Sequence, residues 1–475
     1  GNAGDYLWIQ ENLKELPTNE KTSLISQENL ENKLRKLGPK SIEAFNANME
    51  DGFKYGAYRW KKDVLKEIPD IDKFQKHFIA TNVVFNDDNK TTPCRVVKDM
   101  SRKGWNGLSL NDCMLKGGSS LNNLQDTLYH LRTSETIAIG DIKKMYWMFK
   151  TPPKTWSLCR FWYKRNGMAS DDPWEEVVIT TSDFGATGAQ SMANASLDKA
   201  IVDNIEPKDP QLAKECKDKK YVDDLIITSP RSEPIAPKLN LVKEGLGQAG
   251  LHLKDWIISG EGSEDQSVEL GPQQNQVAEK CLGFKYFPKK DLIALNAKLN
   301  YSPKIRGRRT EKDLESGKVA KHVEKHGLTK KNTVTSNMQI FDLTGLALPL
   351  VMRSRLMYRN LLLSQPSLGW NEQLNDANKS NWIALTEELL KLDGKTWKRS
   401  VIPLDWNGDP AWLIIFCDGS DEASVVVAYL RFPLKGSGYS ASIISVSYTH
   451  LRDHETYLHI VCRLLLEKKN GVGGG

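Results

Sequence analysis

Lys220-Tyr221-Val222-Asp223-Asp224-Leu225-Ile226-Ile227 sets two adjacent carboxylates between short runs rich in apolar and β-branched residues. The pattern predicts a tight β-hairpin whose acidic turn faces a cleft. Neighbouring carboxylates repel one another unless a cation lies between them. Oxygen donors of this kind suit a hard divalent cation, and Mg2+ commonly takes one or two carboxylates together with substrate phosphates. The chemistry expected is two-metal phosphoryl transfer, once a third carboxylate joins the pair. Asp also favours turns for local reasons, so the rest of the chain has to supply the context.

Asp141 is the natural third acid. It ends the short apolar run Thr136-Ile137-Ala138-Ile139-Gly140, where a strand can push a side chain out of a sheet. The alternative for a single strand-end Asp is a helix N-cap. Elsewhere, helices are expected at 5–16, 23–37, 42–58, 121–132, 191–204 and 237–250. Strands are expected at 74–85, 92–98, 158–163 and 177–181, and a hairpin at 281–295. Residues 336–395 read as mainly helical, and Trp412–Cys417 opens a new strand unit.

Several stretches occur in the order and rough spacing of reverse transcriptase motifs: Asp141-Ile142-Lys143-Lys144-Met145-Tyr146, Arg160-Phe161-Trp162, Asp183-Phe184-Gly185-Ala186-Thr187 and Tyr221-Val222-Asp223-Asp224. With Leu282-Gly283-Phe284-Lys285-Tyr286 and Phe341-Asp342-Leu343-Thr344-Gly345-Leu346, the set resembles the polymerase of Bel/Pao long-terminal-repeat retrotransposons over about residues 5–435. The resemblance implies an α+β fold of right-hand polymerase type, with an antiparallel palm sheet. N-terminal helices and fingers would span 1–135, the palm 136–289, and a helical thumb and connection 290–408. An incomplete RNase H-like α/β start would follow at 409–444.

The resemblance also implies roles. Asp141, Asp223 and Asp224 would hold two Mg2+ (or Mn2+) ions, with the Ile142 carbonyl completing a metal shell. Tyr146 would lie under the sugar and exclude a ribose 2′-hydroxyl, and Arg95 would grip the deoxynucleoside triphosphate with its forked donors. Phe184 and Gly185 would line the nucleotide and template pocket. The partner would be an RNA or DNA template–primer duplex. The family replicates in cytoplasmic particles.

The sequence departs from the family pattern twice. Gly188-Ala189-Gln190 stands where Ser-Ser-Pro is usual. Asp255 stands before Trp256 where a basic residue is usual, leaving Lys254 as the candidate to protonate pyrophosphate. A decayed copy that binds nucleic acid without catalysis is therefore the competing reading. An unrelated two-carboxylate hydrolase has no G-x-S-x-G elbow to support it.

The composition, 39% hydrophobic and 27% charged over 475 residues, is that of a globular chain of two to four subdomains. Seven scattered cysteines without a C-x-x-C pair suit a reducing compartment. No apolar run is long enough for a membrane span. The net charge of +6 is concentrated between Lys304 and Lys331, where ten Lys/Arg face four Asp/Glu. Lys304, Arg306, Arg308 and Arg309 there are either phosphate-backbone contacts or a solvated face.

Asp418, at the end of the strand run from Trp412, would be a first RNase H ligand. A single Asp cannot hold two metals, so RNase H activity is not expected. Ser445–Lys469 resembles the translated read-through of a sequencing-library adapter, and residues 445–475 are expected to lie outside the fold. His450, His454, His459 and Cys462 in that tail fit no familiar zinc spacing.

Overall fold

The computed structural model describes residues 4–85, 94–118, 121–263, 268–269, 284–295, 297–305, 308–340, 342–363, 367–420 and 423–450. The chain forms two compact units. One combines the described residues of 1–122, 138–227 and 234–256; the other combines 123–137, 228–233 and those from 257 onward. The division falls between Ile137 and Ala138, inside the strand Thr136–Asp141. No helix among the described residues is long and apolar enough to cross a membrane.

In the first unit, the strands Tyr58–Trp60, Glu175–Ile179 and Arg160–Tyr163 form one antiparallel sheet. Ala80–Phe85 pairs with Cys94–Asp99 in a separate ladder. The strand Asp224–Ser229 lies between Lys220–Tyr221 and Thr136–Asp141. Ile137, Ala138 and Ile139, and likewise Leu225, Ile226 and Ile227, are all buried. Both strands are therefore covered on two faces, which is why they read as continuous apolar runs with no alternation.

Ala189–Asn204 buries Ala189, Ala193, Leu197, Ala200 and Ile201, one stripe at helical spacing. Pro210–Asp218 is a helix absent from the sequence reading. Its signal was present: Asp209 accepts the Leu212 N–H as N-cap, and Pro210 occupies the first turn. Of the strand expected at 74–85, only Ala80–Phe85 forms, with a bridge from Phe78 to Arg160.

The second unit carries the helices Leu124–Arg132, Val319–His326, Lys330–Gln339, Leu348–Leu363 and Asp376–Leu390. One sheet runs Val268–Glu269, Phe284–Phe287, Leu292–Leu295, Thr396–Lys398; another runs Trp412–Gly419, Ala423–Pro433, Tyr439–His450. The last strand corrects the expected tail boundary, since Ser445 to His450 pair with Ala428 to Ala423. Val446 and Tyr448, alternating with Ser445, Ser447 and Thr449, give that stretch the character of a strand. Gly345, at φ +76°, explains part of the 341–346 motif: a Cβ there would lie 2.1 Å from the Val446 carbonyl oxygen. Phe341 lies outside the described residues, as do Leu282 and Gly283.

Candidate active site

The register Lys220↔Leu225, Tyr221↔Asp224 leaves Val222 and Asp223 as a two-residue turn. Val222 sits at φ 57°, the left-handed region, which a β-branched side chain adopts only at a cost of roughly 1–3 kcal/mol. The surroundings enforce it. Ile142 donates its N–H to the Asp223 carbonyl at 3.0 Å, while Lys254 N–H donates to the Asp141 carbonyl at 2.8 Å and Lys143 N–H to His252 at 2.8 Å. The strand end carrying Asp141 is thus stitched on one side to the acidic turn and on the other to the 252–254 segment.

The three acids are close enough to repel one another. Burial, then repulsion from Asp141, pushes the Asp223 carboxyl up to about 6. Burial, then Asp223 and Asp141, pushes Asp224 up to about 8. Lys254 and Arg95 work against the Asp223 shift. The three acids nevertheless do not close into a tight cage. The one group of three acidic, His or Cys side chains among the described residues whose ligand atoms all fall within 4.8 Å lies in the other unit. An all-oxygen donor set with more negative charge than the neighbouring cations offset fits a hard divalent metal.

Lys254 corrects one expectation. Its Nζ lies 2.9 Å from Asp141 Oδ2, so its charge sits on a carboxylate of the site and is not poised alone as a proton donor. Both partners are partly exposed, which limits the pair to about 1 kcal/mol.

Tyr146 donates its hydroxyl to Gln190 Oε1 and meets Phe184 edge-on, with ring centroids 4.5 Å apart. Gln190 in turn donates to Asn194 at 3.2 Å. The residue that breaks the Ser-Ser-Pro pattern therefore holds Tyr146 in place. Burial and then the charge of Asp223 push the Tyr146 phenol up to about 12. Arg95 belongs to the strand Cys94–Asp99, opposite Val84.

Two glycines are required by packing. At Gly140 a Cβ would come within 2.4 Å of the Trp256 ring, so the small residue admits the indole beside the strand that delivers Asp141. At Gly185 a Cβ would lie 2.0 Å from the Lys98 carbonyl oxygen. The close approach that requires Gly185 is to the protein's own backbone. Gly185→Ala will lower stability by roughly 1–3 kcal/mol, because a carbonyl in a paired strand cannot step aside. Gly247→Ala, in a helix with nothing within 4 Å of the new methyl, will raise stability by about 0.5–1 kcal/mol. Urea titrations of the two variants check the contrast, and equal effects would sink the packing argument.

The remaining expected site residues belong to the second unit or fall outside the described residues. Lys304–Ile305 and Arg308–Arg309 form a small hairpin in the second unit; Arg306 and the side chains of this stretch fall outside the described residues. Asp418 is exposed and accepts the Gly419 N–H at 2.9 Å. His454, His459 and Cys462 fall outside the described residues.

Comparison with known proteins adds a domain-level result. Residues 329–457 match the family described as the Pao retrotransposon-like RNaseH-like domain. The match begins inside the segment expected to be thumb and connection, and it reaches into the tail. No curated relative matches the chain. Among solved structures, a foamy viral protease-reverse transcriptase in complex with double-stranded DNA is similar at 13% identity and a TM-score of 0.49, covering 88% of this chain and 59% of that one. A foamy viral protease-reverse transcriptase in complex with an RNA/DNA hybrid is similar at 14% identity and a TM-score of 0.47, covering 91% and 46%. The chain spans about half the length of these solved chains. Residues 329–457 are thus similar to a retrotransposon RNase H-like domain, and the carboxylate site lies N-terminal to that match.

Proposed function

We propose that this chain is the reverse transcriptase region of a Bel/Pao-type retrotransposon, an RNA-directed DNA polymerase that extends a primer 3′-hydroxyl from deoxynucleoside triphosphates. The observation that carries the reading is the convergence of the strand-end Asp141 with Asp223 and Asp224 on a strained two-residue turn. Asp141, Asp223 and Asp224 would hold Mg2+ or Mn2+, which when bound neutralises charge on the transferring phosphoryl group and lowers the pKa of the attacking hydroxyl.

The protein's own part is positioning. The Ile142 N–H holds the Asp223 backbone against the strand carrying Asp141, so the acids are set before substrate arrives. The Tyr146 ring, clamped by Gln190 and Phe184, would bear on the sugar and exclude a 2′-hydroxyl. Arg95 would grip the triphosphate. In a right-hand arrangement, Lys304, Arg306, Arg308 and Arg309 would contact the template–primer backbone, giving sequence-tolerant, salt-weakened binding. Replication in a cytoplasmic particle is part of the same proposal, and RNase H turnover, with Asp418 as its single recognised acid, is not.

The test is primer extension on oligo(dT)-primed poly(rA) with Mg2+ or Mn2+, using the full chain beside Asp223→Asn. The expected result is extension that the substitution lowers at least about a thousandfold. A second reading, a decayed copy that binds hybrid without turnover, is favoured by Lys254 sitting on Asp141 and by the loss of the proline at Gln190. Salt-sensitive hybrid binding by a folded protein with no extension would establish it.

A further inference from the structure

We propose that Glu311, His322 and His326 form a binding site for a zinc-type divalent transition-metal ion, with a fourth position left for water.

His322 and His326 are separated by four residues on the helix Val319–His326, so their imidazoles project from one face. Gly327, at φ +72°, ends the helix directly after the second. The start of the helix is held by Glu387, whose carboxylate accepts the N–H groups of Gly317 at 2.8 Å and Val319 at 3.2 Å. Glu311 approaches from the preceding loop and is fixed by its own backbone. Its carbonyl accepts from Asn300 Nδ2 at 2.9 Å, and its N–H donates to Ser302 Oγ at 3.3 Å. The backbone carrying each of the three residues is therefore held by contacts other than those their side chains make with each other.

The ligand atoms of the three residues all lie within 4.8 Å of one another. Glu311 Oε2 is 3.3 Å from His322 Nδ1 and 2.9 Å from His326 Nε2. Ligands about 2.0–2.1 Å from a tetrahedral zinc are separated by roughly 3.4 Å, so a small opening of the site would accommodate an ion. The two histidines are about nine-tenths buried. The His326 Nε2 atom, although close to Oε2, does not point along a hydrogen-bond line to it.

An ion-pair cluster explains the arrangement less well. Lys325 already bonds Glu311 Oε1. Pairing both histidines with the other oxygen would set two imidazolium rings 4.7 Å apart around one carboxylate. A metal ion binds neutral imidazoles and removes that repulsion. Two nitrogens and one carboxylate oxygen suit zinc, whereas the all-oxygen set at Asp141, Asp223 and Asp224 suits Mg2+. The ion would tie the Glu311 loop, just after the basic hairpin, to the helix. The proposal is independent of the polymerase reading.

Zn2+ titration of the full chain by calorimetry, with excess Mg2+ to satisfy the acidic site, should detect one tight ion per chain. Co2+ in its place should give the visible bands of a tetrahedral centre. His326→Gln and Glu311→Gln should each weaken Zn2+ binding at least about tenfold and abolish the Zn2+-dependent rise in melting temperature. Glu311→Gln alters a partly exposed side chain and keeps the measurement available if His326→Gln fails to fold. A His454→Gln/Cys462→Ser variant of the tail should bind Zn2+ as the parent does. Absence of stoichiometric Zn2+ binding, unchanged affinity in Glu311→Gln, or loss confined to the tail variant would overturn the proposal.

Discussion

Asp224→Asn will raise the melting temperature of the metal-free protein at pH 8 and leave it nearly unchanged near pH 4. The Asp224 carboxyl is pushed up to about 8 by burial and by Asp223 and Asp141. A group whose pKa is raised by folding binds extra protons in the native state. Its favourable contribution is complete below the unfolded value, near 4, and is lost as pH rises through the folded value near 8. Above that window the native state carries a buried, crowded charge. Asn mimics the protonated acid at every pH, so the variant escapes the loss. The gain is at most about 5 kcal/mol, a shift of several degrees for a chain of this size. Millimolar Mg2+ should stabilise the parent increasingly between about pH 6, where Asp223 ionises, and pH 8, and should leave the variant almost unmoved. Melting curves over this range, with chelator or Mg2+, read both effects. A variant that keeps the parent's pH dependence would show that the acids do not repel one another as described. The same substitution should abolish primer extension, so stability and activity would move in opposite directions, as expected where a site stores electrostatic strain.

Arg160→Met will destabilise the first unit by roughly 3–5 kcal/mol. The guanidinium is fully buried and donates to Asp72 at 2.9 Å, Glu176 at 2.7 Å and Ser157 Oγ at 2.8 Å. Truncation leaves two carboxylates around an apolar side chain. Burial disfavours the charged form of Asp72, but hydrogen bonds from Lys61, Arg160 and Lys76 win and hold its carboxyl well below the ordinary range. That stabilisation is present above the unfolded pKa near 4 and is lost on acidification, so the penalty of the substitution should shrink toward low pH. Arg160→Lys should recover only part of the loss, since an ammonium cannot reproduce the planar fork. Chemical denaturation followed by circular dichroism gives the values. A cost below about 1 kcal/mol for the Met variant would show the cluster to be dispensable. Within the Arg160-Phe161-Trp162 motif, the arginine thus serves the packing of its own sheet and the segments bonded to it.

Much of the local structure was legible because its causes are local. The Asp-Asp hairpin, the strand ending at Asp141 and the helix Ala189–Asn204 each follow from periodicity and turn chemistry within a dozen residues. The helix Pro210–Asp218 has a local cause too, its Asp-Pro start. Other features had no local cause to read. Gln190 stood out only as a departure from a motif, because its partner Tyr146 lies 44 positions away. Gly140 and Gly185 are explained by Trp256 and by the Lys98 carbonyl, which meet them only in the folded chain. Lys254 and Asp141 are 113 positions apart, and no spacing rule joins them.

Alone, the sequence determined which residues carry acid chemistry and which short elements present them, since propensity, periodicity and turn geometry act over a few residues. The tertiary structure decided which of those elements meet. It brought Asp141 to the acidic turn through the Ile142 N–H, set Lys254 against Asp141, and gathered Glu311 with His322 and His326, because closing long loops and filling a core depend on the whole chain at once.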